Sequence, residues 1–403
     1  MADFHQNGVI ATLHKLSERS IESLEADLLE FSKIRPMTLV LPSLFSELEG
    51  PALKDIVDQL KEVPYLDNIV IGLDQASEEQ FKYAKEFFSV LPQNHKILWN
   101  DGPKMRAIHK KLAKKGIAPD APGKGKNVWY CFGYVQAALK TKVVGLHDCD
   151  VLTYDRGMLA RLMYPVANPN FSYVFAKGYY PRIADGKMNG RVTRLLVTPL
   201  IHALRRVCGF DPYLNYLNGF RYPLAGEFAM NIDVLPDLRI PADWGLEIGI
   251  LSEIRKNYST RAICQVDISD AYDHKHQPVS SENKDAGLSK MSIDITTSIL
   301  RKLAVSGHTF SNAKIRTIKA TYFRQALDMV EMYKNDAMMN GLEYDVHREE
   351  KTIELFANNI MEAGDKFMAQ MEDRPFIPRW NRVAYALPEI MQDLRDAVAE
   401  DNA

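Results

Sequence analysis

The stretch Val143-Val144-Gly145-Leu146-His147-Asp148-Cys149-Asp150 carries a short apolar strand straight into two acids separated by one small residue. Successive side chains of an extended chain point to opposite sides, so residues i and i+2 point the same way. Asp148 and Asp150 can therefore face one cation. Hard oxygen ligands with open coordination positions suit Mg2+ or Mn2+ bridging a diphosphate. Two acids at this spacing also serve turns and helix caps, so the flanking sequence has to separate the two readings.

Upstream, short apolar runs alternate with helical patterns. Residues 8–33 place Ile10, Leu13, Leu16, Ile21, Leu24 and Leu28 near helical spacing, which predicts an amphipathic helix ended by Arg35-Pro36. Residues 37–41 predict a buried strand closed by Pro42 and Ser43, followed by a helix over 52–63. A strand over 68–73 ends at Asp74, and Ser77 with Glu78 and Glu79 reads as the capped start of the next helix. A strand over 96–99 precedes a basic helix, and Gly123-Lys124-Gly125 opens a helix to about residue 139. This alternation predicts a parallel α/β sheet, whose ligands bind outside the carboxyl ends of the strands. Ser43, Glu47, Asp74, Asp101, Asp148 and Asp150 all follow strand ends, so several turns supply one crevice.

Downstream the pattern loosens. Residues 171–180 and 262–270 predict strands, and 192–207 and 246–256 predict helices. After residue 284 the stretches 288–305, 313–338, 347–371 and 388–398 all read as helices, with no strand among them.

Four further clusters carry chemistry. In Gly123-Lys124-Gly125 the glycines let backbone approach a phosphate at a helix N-terminus, and Lys124 adds a charge; a plain turn is the alternative. Asn189-Gly190-Arg191-Val192-Thr193 offers a guanidinium fork and a hydroxyl for an anion, or simply a helix cap. In Asp273-His274-Lys275-His276 an imidazole could complete a metal site, or the cluster is a polar surface turn. Glu247, alone among apolar neighbours, suits a sugar hydroxyl or proton transfer, or the first turn of a helix. Trp129 and Tyr179-Tyr180 read as packing aromatics.

The 403 residues suggest one large domain with an appendage, or two domains. A net charge of −2 calls for neither nucleic acid nor membrane. The basic residues at 109–111 and 114–115 read as a solvated helix face. Four widely spaced cysteines without a CxxC pair fit reduced thiols in the cytoplasm. Residues 1–16 have no apolar signal core, and no uncharged stretch approaches the ~18–20 residues that span a bilayer. A homodimer is expected because two-fold dimers are the commonest oligomers.

In order, LPSLFSE (41–47), GKG (123–125), DCD (148–150), FAKGYYPR (175–182), GRVT (190–193), LAGEFA (224–229), WGLEIGIL (244–251) and QVDISDAYDHKH (265–276) resemble the glucosyl-3-phosphoglycerate synthases, over about residues 37–300. The resemblance implies a retaining glycosyltransferase of GT-A fold, a Rossmann-like mixed sheet flanked by helices. The change of pattern after residue 284 divides the chain into a catalytic domain over 1–284 and a helical extension over 285–403. Within the catalytic domain the nucleotide-sugar half runs to about residue 150 and the acceptor half over 151–284. Its substrates would be a nucleoside-diphosphate glucose and 3-phosphoglycerate. Pro42, Ser43, Leu44 and Glu47 would hold base and ribose, with Asp74 on the same side, and Lys124 would meet the diphosphate. Asp148, Asp150 and His274 would bind Mg2+ or Mn2+, with Asp150 the closer ligand. Gly190, Arg191, Thr193 and His276 would receive the acceptor, and Glu247 would stand near the reacting sugar. LFSE stands where better-known members carry LNEE, and His276 where they carry asparagine, which leaves the donor nucleotide open. Mannosyl transfer is the neighbouring alternative. A sugar-nucleotide pyrophosphorylase would need a glycine-rich first turn, absent here, and a scaffold role sits badly with the intact motif series.

Overall fold

The structure, a computed structural model, describes residues 6, 8–119, 122–241, 245–274, 287–369 and 376–403. Among them ten strands form: β1 Ala11–Leu13, β2 Met37–Leu44, β3 Leu66–Asp74, β4 Asn94–Trp99, β5 Val143–Leu146, β6 Phe175–Tyr179, β7 Ile183–Ala184, β8 Lys187–Met188, β9 Phe228–Asn231 and β10 Ile263–Asp267. Eight make one sheet in the order β1-β10-β6-β9-β5-β2-β3-β4, while β7 and β8 form a small hairpin. The sheet is mixed: β9 runs antiparallel to both β5 and β6, and the other neighbouring pairs are parallel.

The central strands are mostly apolar because both sheet faces are covered. Alternate residues feed opposite faces. Leu39, Leu41, Ile69 and Ile71 join the core beneath the helices Pro51–Leu60, Glu78–Phe88 and Arg156–Ala167. Val40, Val70 and Leu98 join the other core, under the helix Lys124–Ala138. Ser77 caps its helix with a reciprocal Ser77–Gln80 capping box, as its position predicts.

Several boundaries differ from the sequence pattern. Residues 8–33 are not one helix. Ala11–Leu13 pairs with β10, and the helix is confined to Ile21–Ser32, where Ser20 accepts from the Ser23 amide. The apolar period persists across both pieces because each buries one side. β2 continues through Pro42 to Leu44. β5 pairs it only as far as Val40, so beyond that point β2 has β3 alone as neighbour and a missing N–H is tolerated. β6 and β10 are shorter than 171–180 and 262–270. The helix expected over 192–207 begins as a π-helical turn, Val192–Val197, and becomes α-helical over Thr198–Cys208. β9, without a β-branched residue and only four residues long, leaves no strand signature of its own.

The later helices are Gly287–Val305, Asn312–Met339, Val346–Ala369, Trp380–Ala386 and Ile390–Asp401. They belong to the same core cluster as Val40 and Val128, through Tyr322, Ile353, Phe356 and Trp380. Tyr322 donates its hydroxyl to the Leu195 carbonyl, tying Asn312–Met339 to the π turn. Trp380 stacks on Trp129 at 4.2 Å between centroids, and the indoles donate to the Trp129 and Pro378 carbonyls. At the sheet edge the Asn402 amide pairs with both backbone groups of Ile97 on β4, accepting at 2.9 Å and donating at 2.8 Å.

Candidate active site

The antiparallel course of β9 decides what meets the Asp148-Cys149-Asp150 turn. Leu146 of β5 is opposite Phe228, so two residues further along Asp148 comes opposite Gly226, before β9 begins. An ideal Cβ on Gly226 would lie 2.1 Å from Asp148 Oδ2. The glycine of the LAGEFA motif is therefore the room that the first acid occupies. An antiparallel strand brings its beginning to the edge where parallel strands end, and so Gly226 and Glu227 join the crevice.

Lys124 starts its helix behind Gly123, whose φ of 141° lies where glycine is favoured. Its Nζ lies 2.5 Å from Asp148 Oδ1 and 3.2 Å from Glu247 Oε1. Burial alone would lower its pKa. Asp148 and then Glu247 outweigh that and raise it well above the ordinary lysine range, so the ammonium stays charged. Glu247 stands in the first turn of the helix Leu246–Asn257. Three sequence-predicted site residues thus meet in one ion-paired group.

Below them lies a polar layer that sequence reasoning missed. Lys177 of β6 is fully buried and donates to the Ala225 carbonyl, next to Gly226. Burial pushes its pKa down to about 8, against the pull of Glu247 and Glu227. Glu227 is buried with both oxygens bonded: Tyr180 and Tyr272 each donate a hydroxyl at 2.7 Å. Those two rings stack at 3.7 Å, so Tyr180 packs as expected. Tyr272 in turn fixes the segment that ends in His274. That segment is bridged to the DCD turn, with Val151 opposite His274 and the Leu152 amide donating to Asp273.

His274 Nδ1 lies 3.9 Å from Asp150 Oδ2, and its Nε2 is 2.7 Å from Arg182 Nη1. A guanidinium only donates, so Nε2 accepts and the proton falls to Nδ1. Metal ligation requires the ring to release one of these contacts. Among the described residues no three acidic, histidine or cysteine side chains already stand as a ligand cluster. The donor chemistry nonetheless fits a divalent cation. Asp150 is pushed up to about 7, first by burial and then by the charge of Asp148, with Glu47 and Glu227 adding to the repulsion. A hard cation relieves that crowding of carboxylates.

Pro42, Ser43 and Leu44 end β2, and Glu47 lies in the short helix Phe45–Leu48 that follows. Asp74 ends β3, accepts from Asn100 at 2.7 Å, and is raised to about 6 by burial above all, with Asp101 adding to the rise. Arg182 connects the metal side to the predicted acceptor side: a Cβ on Gly190 would lie 3.2 Å from its Cγ. Arg191 Nε is 3.1 Å from Glu349 Oε1, and Thr193 is buried in the π turn. The regular helix N-terminus expected at Arg191 is absent, since Thr198 bonds back five residues to the Thr193 carbonyl. Lys275, His276 and Trp244 lie outside the described residues. Glu227 and Arg182 could have been noticed as acid and base within the LAGEFA and FAKGYYPR motifs; their partners could not.

No family model matches the chain. The glucosyl-3-phosphoglycerate synthase of Persephonella marina is 44% identical over 403 residues, spanning 100% of both chains. That of Methanococcoides burtonii is 38% identical, covering 99% of this chain and 98% of its own. Among solved structures, the Mycobacterium tuberculosis glucosyl-3-phosphoglycerate synthase in complex with Mn2+, UDP-glucose and phosphoglyceric acid superposes with a TM-score of 0.54 at 21% identity, over 76% of this chain and 90% of that one. Mannosyl-3-phosphoglycerate synthase from Rubrobacter xylanophilus gives 0.53 at 22%, over 71% and 80%. At these identities the two structures speak to the fold alone. The full-length likeness to the first two relatives, together with the ordered motifs now gathered at one sheet edge, shows that the chain belongs to the glucosyl-3-phosphoglycerate synthase family.

Proposed function

We propose that the protein transfers glucose from a nucleoside-diphosphate glucose to the 2-hydroxyl of 3-phosphoglycerate, with retention at the anomeric carbon. The observation that carries this reading is Lys124, which holds Asp148 of the DCD turn and Glu247 of the GLEIG helix in one ion-paired group. Asp148, Asp150 and His274 would hold Mg2+ or Mn2+, which when bound supplies positive charge beside the diphosphate. Lys124, charged throughout the working range, binds the diphosphate and stabilises it as it departs. Pro42, Ser43, Leu44 and Glu47 take base and ribose, and Asp74 lines the same side. Gly190, Arg191, Thr193 and His276 take the acceptor, whose phosphate suits a guanidinium fork. Glu247 orients the sugar.

Both oxygens of Glu227 are bonded to tyrosines and Glu247 is paired with Lys124, which supports a reaction without a covalent glycosyl–carboxylate. The acceptor hydroxyl attacks from the face that the diphosphate leaves. The carbon–oxygen bond to the diphosphate breaks, and the acceptor proton passes to the departing phosphate oxygen. Residues 1–284 form the catalytic unit in this reading and 285–403 a helical region, whose described helices reach both the acceptor side, through Glu349, and the Lys124 helix, through Trp380. Four unpaired cysteines support a cytoplasmic protein, and no described helix is long and apolar enough to cross a membrane. A homodimer is part of the proposal, and sedimentation at working concentration checks it.

Release of nucleoside diphosphate, measured with UDP-, GDP- and ADP-glucose and GDP-mannose against 3-phosphoglycerate and glycerate, with and without Mg2+, tests the reading. Glucose donors with 3-phosphoglycerate and metal should turn over. Turnover with the mannose donor alone would move the chain to the mannosyl reaction.

A further inference from the structure

The acceptor pocket proposed around Arg191 is built partly from the C-terminal helical region. Glu349, in the first turn of the helix Val346–Ala369, is buried, and its carboxylate reaches two arginines of the GRVT segment. Oε1 accepts from Arg191 Nε at 3.1 Å, and Oε2 lies 2.9 Å from Arg194 Nη1, an ion pair without hydrogen-bond alignment. The two arginines differ. Arg194 is anchored to backbone: its Nε donates to the Asn189 carbonyl at 2.7 Å, its Nη2 to the Met188 carbonyl at 3.2 Å, and its guanidinium lies over the Tyr333 ring. Arg191 is held through Nε alone, and among the described residues nothing else bonds its side chain.

We propose that Glu349 is a positioning residue for the acceptor, aiming Arg191 so that its two terminal nitrogens face the acceptor's phosphate. The inference rests on the reading of residues 190–193 as the acceptor site. The charge of Arg194 holds the carboxylate in place, and the carboxylate accepts from Nε. That leaves Nη1 and Nη2, the pair that can grip two phosphate oxygens at once. Two further observations point to an anion at this place. Arg348 and Arg194 both bring positive charge to bear on Arg191, which is ion-paired with Glu349. The Thr193 hydroxyl is buried with no hydrogen-bond partner among the described residues. A phosphate would balance the excess charge and could satisfy the hydroxyl. A free guanidinium on a flexible stem would lose rotamer freedom on binding, and the Glu349 contact removes that loss in advance.

The test is steady-state kinetics with both substrates varied. Glu349→Ala should raise the KM for 3-phosphoglycerate about tenfold, the scale of one charge-assisted hydrogen bond, with kcat and the donor KM within about twofold of the parent. Glu349→Gln, whose amide oxygen still accepts the Nε proton, should recover most of the acceptor affinity. Where the alanine variant does not fold, Glu349→Asp keeps the buried charge but draws the oxygen back by one methylene. It should raise the acceptor KM severalfold, and an unchanged value would overturn the proposal. Equal increases in donor and acceptor KM would mark Glu349 as merely structural and overturn it too. Arg191→Ala separates the two levels. If it raises the acceptor KM while Glu349→Ala does not, the positioning role falls and the acceptor site stands. If Arg191→Ala leaves the acceptor KM unchanged, the acceptor reading itself falls.

Discussion

Asp148 takes the space a side chain on Gly226 would fill, with Oδ2 2.1 Å from where that Cβ would sit. The clash would be with a carboxylate already pinned by Lys124, so the acid, not the strand, has to move. Gly226→Ala should therefore lower turnover by about a hundredfold or more, equivalent to ~2.7 kcal/mol of barrier. Its melting temperature should stay near that of the parent, and Mn2+ binding followed by EPR should weaken in parallel. Parent-like activity would show that Asp148 need not sit where it does. Asp74 makes an opposite case. Its folded-state pKa of about 6 exceeds the ordinary 3.8, chiefly through burial. The folded protein then holds this proton more tightly than the unfolded chain. The favourable contribution is complete below about pH 4 and is lost as pH rises through about 6. Asp74→Asn, whose oxygen still accepts from Asn100, should stabilise the ligand-free protein by about 1–2 kcal/mol at pH 8 and by nothing measurable at pH 4. Urea titrations at the two pH values check it. The acids of the DCD turn were legible because alternation along a strand is a local property. Gly226 and Lys177 were not, and the partners of Glu227 and Arg182 were not, because they arise from strand pairing and loop contacts that leave no local mark.

At the level of elements, the strands readable in advance were those buried on both faces. β2 and β5, and the later parts of β3 and β4, are largely apolar runs punctuated by helix caps and turns. β9 escaped, although it makes the sheet mixed and delivers Gly226 and Glu227 to the site. Its neighbours on both sides decide its conformation, and its own residues do not. The first expected helix failed for a related reason: period alone cannot tell one long amphipathic helix from a strand and a shorter helix that bury the same side. The helices of residues 287–369 were legible, yet their partners were not. Trp380 illustrates the dependence of one element on another. It stacks on Trp129, in the helix that starts with Lys124, and both indole N–H groups are satisfied across that contact. Trp380→Ala should cost about 3–5 kcal/mol, as truncation of a large buried aromatic does. Chemical denaturation should show that loss, together with a higher KM for the nucleotide sugar if the Lys124 helix shifts.

Over the whole molecule, the C-terminal helices and one face of the sheet share a core, so the catalytic edge and the helical region support each other. One small contact in that arrangement governs how the protein behaves in company. An open sheet of this kind ends in a row of backbone groups ready to accept another strand. At β4 the Asn402 side chain occupies the Ile97 pair, imitating the backbone of the strand that is not there. The amide acts as a plug against self-adhesion. Asn402→Ala should leave the chemistry intact but make the protein sticky, with scattering that grows with concentration; parent-like scattering would show that the Ile97 pair needs no cover.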